Sequence, residues 1–320
     1  MSIYLLQRDS RELYNQIYDA ISAHKTKTIV SPVSDDLILP VYSKVLSENP
    51  EGLMYKVGSI QIIKSWKTMT LLFTRHIEEH KADSVLSISS EKRRIIEYAH
   101  TGMDNYGSIL SVYRYFVENY SYSDNDSDAY HQTISPLLYK KAVCEGFSIL
   151  FAEIMNTLNI PCGVISGTGN RNGSMEPHSW NIVKYNNRFY HLDVTWDICT
   201  KTQGLFFDYF MVDDSQIRKD HSWDDMSIPK CFDSSMDFYA KRKLLCRSKR
   251  DTVIFLVNQI LIGNTTIGFR IKSDFDRIKL TDSFVNEIID ETFRICKKSY
   301  SKISYRFNDT AQTVMLFINY

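Results

Sequence analysis

The stretch His178-Ser179-Trp180-Asn181-Ile182-Val183-Lys184-Tyr185-Asn186-Asn187-Arg188-Phe189-Tyr190-His191-Leu192-Asp193-Val194-Thr195-Trp196 decides how this chain folds around its chemistry. Its two halves are rich in β-branched and aromatic residues and read as strands, His178 to Tyr185 and Arg188 to Trp196. Asn186-Asn187 lies between them, and asparagine tolerates positive φ, so the pair suits a two-residue hairpin turn. That turn pairs Tyr185 with Arg188, which places Trp180 opposite Asp193 and His178 opposite Thr195. His178 and Asp193 then become diagonal neighbours on one face, within side-chain reach. A slip of one residue would put them on opposite faces. A carboxylate so placed holds an imidazole in one tautomer and stabilises its protonated form, leaving the second ring nitrogen to take a proton from a nucleophile. Trp180 shares that face and would shield the pair from water. Taken alone, the hairpin also fits an ordinary sheet histidine bonded to a nearby acid, with Trp180 and Trp196 as core.

The nucleophile that such a pair would serve stands upstream. Cys144 precedes an apolar run, Phe147, Leu150, Phe151, Ile154, Met155 and Leu158, whose spacing is one helical face. Asn159 and Pro161 end it, because proline cannot continue a helix and biases its predecessor away from helical geometry. A thiol at a helix N-terminus sits near unpaired backbone N–H groups and the positive end of the dipole, and both favour the nucleophilic thiolate. Gly146 keeps side-chain bulk away from the sulfur. A cysteine read alone equally fits a buried structural thiol; the order thiol, imidazole, carboxylate is what points to acyl chemistry.

Several stretches in that order, Lys141-Ala142-Val143-Cys144-Glu145-Gly146-Phe147-Ser148, Gly163-Val164-Ile165-Ser166-Gly167, His178-Ser179-Trp180-Asn181 and Tyr190-His191-Leu192-Asp193-Val194-Thr195-Trp196-Asp197, resemble the transglutaminase-like superfamily. Within it the similarity is to the bacterial branch found in Firmicutes, and Phe207-Asp208-Tyr209-Phe210 and Asp220-His221-Ser222-Trp223 extend it. The resemblance covers residues from about 90 to 230 and implies an α+β fold: a papain-like core with the nucleophile helix packed on an antiparallel sheet. It implies a triad of Cys144 as nucleophile, His178 as base and Asp193 as orienter. Papain-type proteases carry a glutamine six residues before the nucleophile; here that position is Leu138. The Cys144 N–H would be one oxyanion donor. Gln132, Tyr130 and Tyr139 are candidates for the second, with Trp180 shaping the site.

Composition sets the frame for this chemistry. The chain has 320 residues and equal numbers of acidic and basic side chains, interspersed. No basic patch argues for nucleic acid or an anionic membrane. The six cysteines are scattered, without the close pairs of a zinc site or the density of a disulfide scaffold. The N-terminus lacks a basic segment followed by a long apolar one, and no run is long enough to cross a bilayer. These features give the expectation of a cytoplasmic protein with reduced thiols.

Flanking the core, the pattern helix, strand, helix, two strands occurs twice. The first copy runs from Ser10 as a helix cap through strands near Thr28–Val30, Ser59–Ile63 and Thr68–Phe73, with a helix near Asp35–Leu46. The second runs from Ser248 as a cap through a helix to about Ile262, a strand Thr266–Ile271, a helix from Asp282 to Lys297 and a hairpin Lys302–Phe307 with Thr313–Ile318. An internal duplication and a coincidence of common elements both fit. The domains expected are 1–88 and 233–320 as α/β accessory units around a catalytic core at 89–232. Residues 91–120 read as helices leading into that core, and 121–128 as a polar loop.

Other signals are weaker. His76-Ile77-Glu78-Glu79-His80 fits a His-x-x-Glu-His zinc pattern, but it ends a β-rich run and reads as a charged turn. Gly167-Thr168-Gly169-Asn170-Arg171-Asn172-Gly173 leads into a strand rather than a helix, so it is no phosphate cradle and reads as a mobile loop beside the site. Glu145 and Asp197 read as solvent-facing or structural acids, and His191 as a core or supporting histidine.

The expectation is therefore thiol-dependent chemistry on a peptide or protein amide: hydrolysis if water resolves the thioester, transglutamination if an amine does. No cofactor is required, and nothing resembles the acidic loops of calcium-dependent animal transglutaminases. The alternative is a non-catalytic transglutaminase-like module kept for binding or as a scaffold.

Overall fold

The computed structural model describes residues 3–23, 25–48, 55–65, 67–75, 82–99, 104–124, 134–171, 173–200, 207–224, 228–272 and 280–320. The chain divides into two compact units. One comprises Met1–Tyr98 with Ser123–Ile154, the other Ala99–Tyr122 with Met155–Tyr320.

The first unit opens with α1 (Ile3–Ser22), β1 (Lys27–Val30), α2 (Asp35–Glu48), β2 (Tyr55–Lys64) and β3 (Met69–Arg75). Its sheet has the order β1-β3-β2, with both pairings antiparallel. Leu13, Ile17 and Ile21 recur at helical spacing on α1 and are fully buried, as are Ile38, Tyr42 and Val45 on α2. Tyr42 stacks on Phe73 of β3 with ring centroids 5.3 Å apart. Then come α3 (Ala82–Ala99), α4 (Asn105–Asn119) and β4 (Ser121–Tyr122), of which the last two fall in the second unit. The elements α5 (Ile134–Tyr139), β5 (Lys141–Ala142) and α6 (Cys144–Thr157) follow.

The second unit is built on a five-stranded antiparallel sheet of order β10-β6-β7-β8-β9. These strands are β6 (Cys162–Arg171), β7 (Ser174–Tyr185), β8 (Arg188–Leu192), β9 (Phe210–Val212) and β10 (His221–Ser222). The helices α7 (Val194–Thr200) and α8 (Asp214–Ile217) interrupt the later strands. Gly167-to-Gly173 is a correction to the loop expected there. Residues 167–171 belong to β6, with Gly167 paired to His178 and Gly169 to Glu176. The glycines had suggested a loop, but their purpose is close packing. A Cβ on Gly169 would lie 2.7 Å from the Trp196 ring, and one on Gly167 would lie 2.8 Å from Trp180 and against the Ser222 carbonyl.

The C-terminal part of this unit contains α9 (Phe238–Lys241), β11 (Leu245–Cys246), α10 (Lys249–Leu261), β12 (Thr266–Ile271), α11 (Asp282–Cys296), β13 (Lys302–Asn308) and β14 (Thr313–Asn319). Ser248 caps α10 through its side chain, as the sequence suggests, and Thr281 caps α11. The sheet order is β11-β12-β14-β13. Set beside the N-terminal sheet, the αβαββ order recurs with the same pairings: first strand to third and second to third, all antiparallel. Each unit thus combines helices with largely antiparallel sheets, an α+β architecture.

Candidate active site

The hairpin forms with the register that its turn dictates. Asn181 pairs with Leu192, Ile182 with His191 and Tyr185 with Arg188. Asn186 and Asn187 both have positive φ, 48° and 60°, the backbone of a type I′ turn. The second strand is shorter than its β-branched composition suggests: β8 stops at Leu192, and Val194–Thr200 is helical. Asp193 makes the break. Its Oδ1 accepts the N–H groups of Thr195 at 3.0 Å and Trp196 at 3.2 Å, the bonding of a helix N-cap. Its own N–H donates to Tyr209 O at 3.0 Å, and its carbonyl accepts from the Tyr113 hydroxyl at 2.7 Å. The cap and these two distant partners together outweigh the β propensity of the residues that follow.

The other oxygen of Asp193 faces two histidines. His178 Nε2 lies 2.6 Å from Oδ2 and His221 Nε2 lies 3.0 Å from it. Both partners are buried and Asp193 is wholly so. Burial alone would push the Asp193 carboxyl up, but the charges and hydrogen bonds of His178 and His221 outweigh it and hold the group well below the usual range. His178 Nε2 is thus committed to this carboxylate. Its ring stacks on Trp180, centroids 5.9 Å apart.

His221 was not singled out from the sequence. It sits on the two-residue edge strand β10, where His221 pairs with Gly169, and its Nδ1 lies 2.6 Å from Asp220 Oδ1. The Tyr209 hydroxyl donates to Asp220 Oδ2 at 2.6 Å. Only a pairing across more than fifty residues of chain brings these groups to Asp193, so no local spacing betrays them.

Cys144 is the first residue of α6 and is half-buried. The apolar face behind it, from Phe147 to Met155, is fully buried at Phe147, Leu150, Phe151, Ile154 and Met155. The helix stops as proline and asparagine require: Asn159 turns at φ 60°, and Ile160 N–H closes on Met155 O at 2.9 Å. Tyr139 ends α5 with 43% of its surface exposed. Gln132 and Tyr130 lie outside the described residues, as do His76 and His80. Trp180 is buried, and its Nε1–H donates to His191 Nδ1 at 3.1 Å. That bond ties the indole to His191 rather than to the triad residues.

Asp197 and His191 have structural partners. Asp197 is fully buried and accepts from the Tyr113 hydroxyl at 2.6 Å and from the N–H groups of Asp208 and Tyr209. His191 is also fully buried, with Nε2 2.9 Å from Asp214 Oδ1. His191, Asp214 and Cys231 lie close enough to suggest a metal site. The Trp180 bond argues otherwise: it occupies the Nδ1 lone pair, so the neutral ring carries its proton on Nε2, towards Asp214. Ligation there would need an imidazolate.

A cavity of about 300 Å³ opens beside His178. Trp196, Thr195 and Cys199 of α7, Gly169 and Asn170 of β6, and Asn308 to Thr310 at the β13–β14 turn line it. The C-terminal αβαββ module thus supplies part of its wall.

Residues 93–194 match the family model described as transglutaminase-like superfamily. Among solved structures, one described as a TGase is 13% identical, over 81% of this chain and 74% of its own, with a TM-score of 0.34. One titled a "putative cysteine protease" from Cytophaga hutchinsonii is 11% identical over 43% of this chain, with a TM-score of 0.30, and the match spans 61% of that chain's length. The periplasmic domain of TgpA from Pseudomonas aeruginosa is 10% identical over 55% of this chain and 70% of its own, with a TM-score of 0.29. No curated protein sequence matches the chain. The α+β architecture agrees with that family match.

Proposed function

We propose that this protein performs thiol-dependent acyl chemistry on a peptide or protein amide, with Cys144 as nucleophile, His178 as base and acid, and Asp193 as orienter. The observation that carries the reading is the buried 2.6 Å contact between His178 Nε2 and Asp193 Oδ2, bordering a cavity. A carboxylate kept ionised out of water is what an imidazole needs in order to cycle through its protonated form. The Cys144 thiolate attacks the amide carbon, and His178 delivers a proton from Nδ1 to the leaving nitrogen as the C–N bond breaks. The thioester passes to water, giving hydrolysis, or to an amine, giving a new amide. In either case the attacking group loses a proton to His178 and the thiolate is restored. The Cys144 N–H serves as one oxyanion donor, and Gln132 or Tyr139 as a second. The scattered cysteines favour a reducing, cytoplasmic setting.

Peptide and glutamine–amine substrates, offered to the wild type and to Cys144→Ala, test this. Turnover that vanishes in the variant supports the triad, and the product identifies hydrolase or transferase. Turnover that survives in a folded Cys144→Ala protein removes the proposal and leaves the binding module as the reading.

A further inference from the structure

His221 has more charge around it than a structural histidine needs. Its two ring nitrogens each face a carboxylate: Nδ1 at 2.6 Å from Asp220 and Nε2 at 3.0 Å from Asp193. A neutral imidazole has one donor and one acceptor nitrogen, and a carboxylate only accepts, so this bracket suits the doubly protonated ring alone. Asp220 is itself held by the Tyr209 hydroxyl. Asp193 meanwhile receives four N–H donors, two of them from the start of α7 and two from imidazoles that share Oδ2. The rings of His178 and His221 are 5.3 Å apart by centroid.

We propose that His221 is a standing imidazolium that sets the proton affinity of His178: a positioning residue that acts through Asp193 and never touches substrate. The inference rests on the reading of His178 as the base. A lone buried carboxylate would bind the His178 proton tightly and hold it as imidazolium. His221 offsets part of that charge in two ways. It takes up the accepting capacity of the shared oxygen, and its own positive charge opposes a second one on the neighbouring ring. His178 then gives up its proton more readily than it would beside a lone carboxylate, as a group serving as both base and acid requires. The groups that face His221 from the surrounding elements agree with a retained charge: Asp193 before α7, Asp220 beside β10, Tyr209 beside β9, and His178 on β7. Farther off is His191 on β8, which burial keeps towards its neutral form. Burial would likewise lower the proton affinity of His221, but its bonds to Asp193 and Asp220 outweigh it and raise it.

Histidine ¹⁵N NMR titrations of the full chain test this without any turnover. In the wild type, His221 should show both nitrogens protonated at neutral pH and above. In His221→Gln the His178 midpoint should move upward, and the pH profile of Cys144 alkylation should move with it. In Asp220→Asn, which keeps the imidazole, His221 should lose its proton at lower pH than in the wild type. A wild-type His221 with one bare nitrogen at neutral pH overturns the proposal, and so does a folded His221→Gln protein whose His178 midpoint stays put or falls. If His221→Gln does not fold, the wild-type and Asp220→Asn spectra decide. A zinc titration covers the competing arrangement of the same atoms: stoichiometric binding that displaces the Nε2 protons of His178 and His221 overturns the imidazolium. The Cys144→Ala turnover assay fails or succeeds independently of these spectra, so the two readings are separable.

Discussion

Asp193 divides its work between two oxygens. Oδ1 caps α7 and Oδ2 receives His178 and His221. Asparagine caps helices as well as aspartate but carries no charge. Asp193→Asn should therefore fold while losing activity by about 10²–10⁴-fold, by analogy with serine triads. Rate and thermal unfolding measured together check this; full activity in a folded variant would transfer the orienting role elsewhere. Cys144 should be the cysteine that alkylates fastest near neutral pH, since burial raises the thiols of Cys162, Cys231 and Cys246. Mass-spectrometric mapping of alkylation rates tests the order, and a Cys144 rate unchanged by His178→Ala would break the link between thiol and imidazole. At this scale His178 and Asp193 were legible because one turn joins them. His221 was not, because only the β10–β6 pairing brings it near.

Within the elements, packing assigns the tasks that composition leaves open. The Gly167–Gly173 run looked like a loop, yet two of its glycines sit in a strand to admit tryptophans. Gly169→Ala should push the new methyl into Trp196, on the wall of the cavity, at a cost of about 1–3 kcal/mol. Chemical denaturation reads that loss, and stability equal to wild type would show that Trp196 yields freely. The Asn186-Asn187 turn behaves as its sequence dictates, with both residues at positive φ. Asn187→Val should cost about 1–2 kcal/mol, because a β-branched residue resists left-handed backbone, whereas Asn187→Gly should be neutral or stabilising. Matching denaturation midpoints for the two variants would contradict the turn's role in setting the register. The helix cap at Ser248 and the strand Thr266–Ile271 could be read directly, whereas Ser10, expected as a cap, lies inside α1, which starts a full two turns earlier at Ile3. The helix after Asp193 could not, because its residues are those of a strand and its start depends on a side-chain bond.

Across the second unit, buried charge joins the C-terminal module to the chain that precedes it. Arg270 of β12 pairs with Asp237 and donates to the Asp208 carbonyl, and Asn308 bonds Asp208 at 2.9 Å. Arg270→Met would leave Asp237 and Asp208 without that cation, and breaking a buried pair from one side typically costs about 3–5 kcal/mol. Urea unfolding measures it; a cost below about 1 kcal/mol would mean that the carboxyls simply take up protons. Stability should also depend on pH through the His221 cluster. The raised affinity of His221 means that its pairing contributes fully below the ordinary histidine value of about 6.5. That contribution is lost as pH climbs through the raised native value. The depressed Asp193 works the other way, its contribution being lost only as pH falls through strongly acid values. Thermal unfolding from neutral to alkaline pH should thus fall with a component that His221→Gln lacks; parallel curves for the two proteins would refute it.

By itself the sequence determined the hairpin and its register, the helix that starts at Cys144 and its stop, and the repeated αβαββ order. Each follows from turn chemistry, capping or hydrophobic period, which act over a few residues. Tertiary structure alone decided that Asp193 ends a strand and starts a helix. It also decided that two glycines make room for Trp180 and Trp196, that His221 and Asp220 complete the charge around the site, and that the β13–β14 turn reaches the cavity wall. These depend on which distant strands pair and which groups lose water together, and the free energy of a buried charge is set by its neighbours in space rather than in sequence.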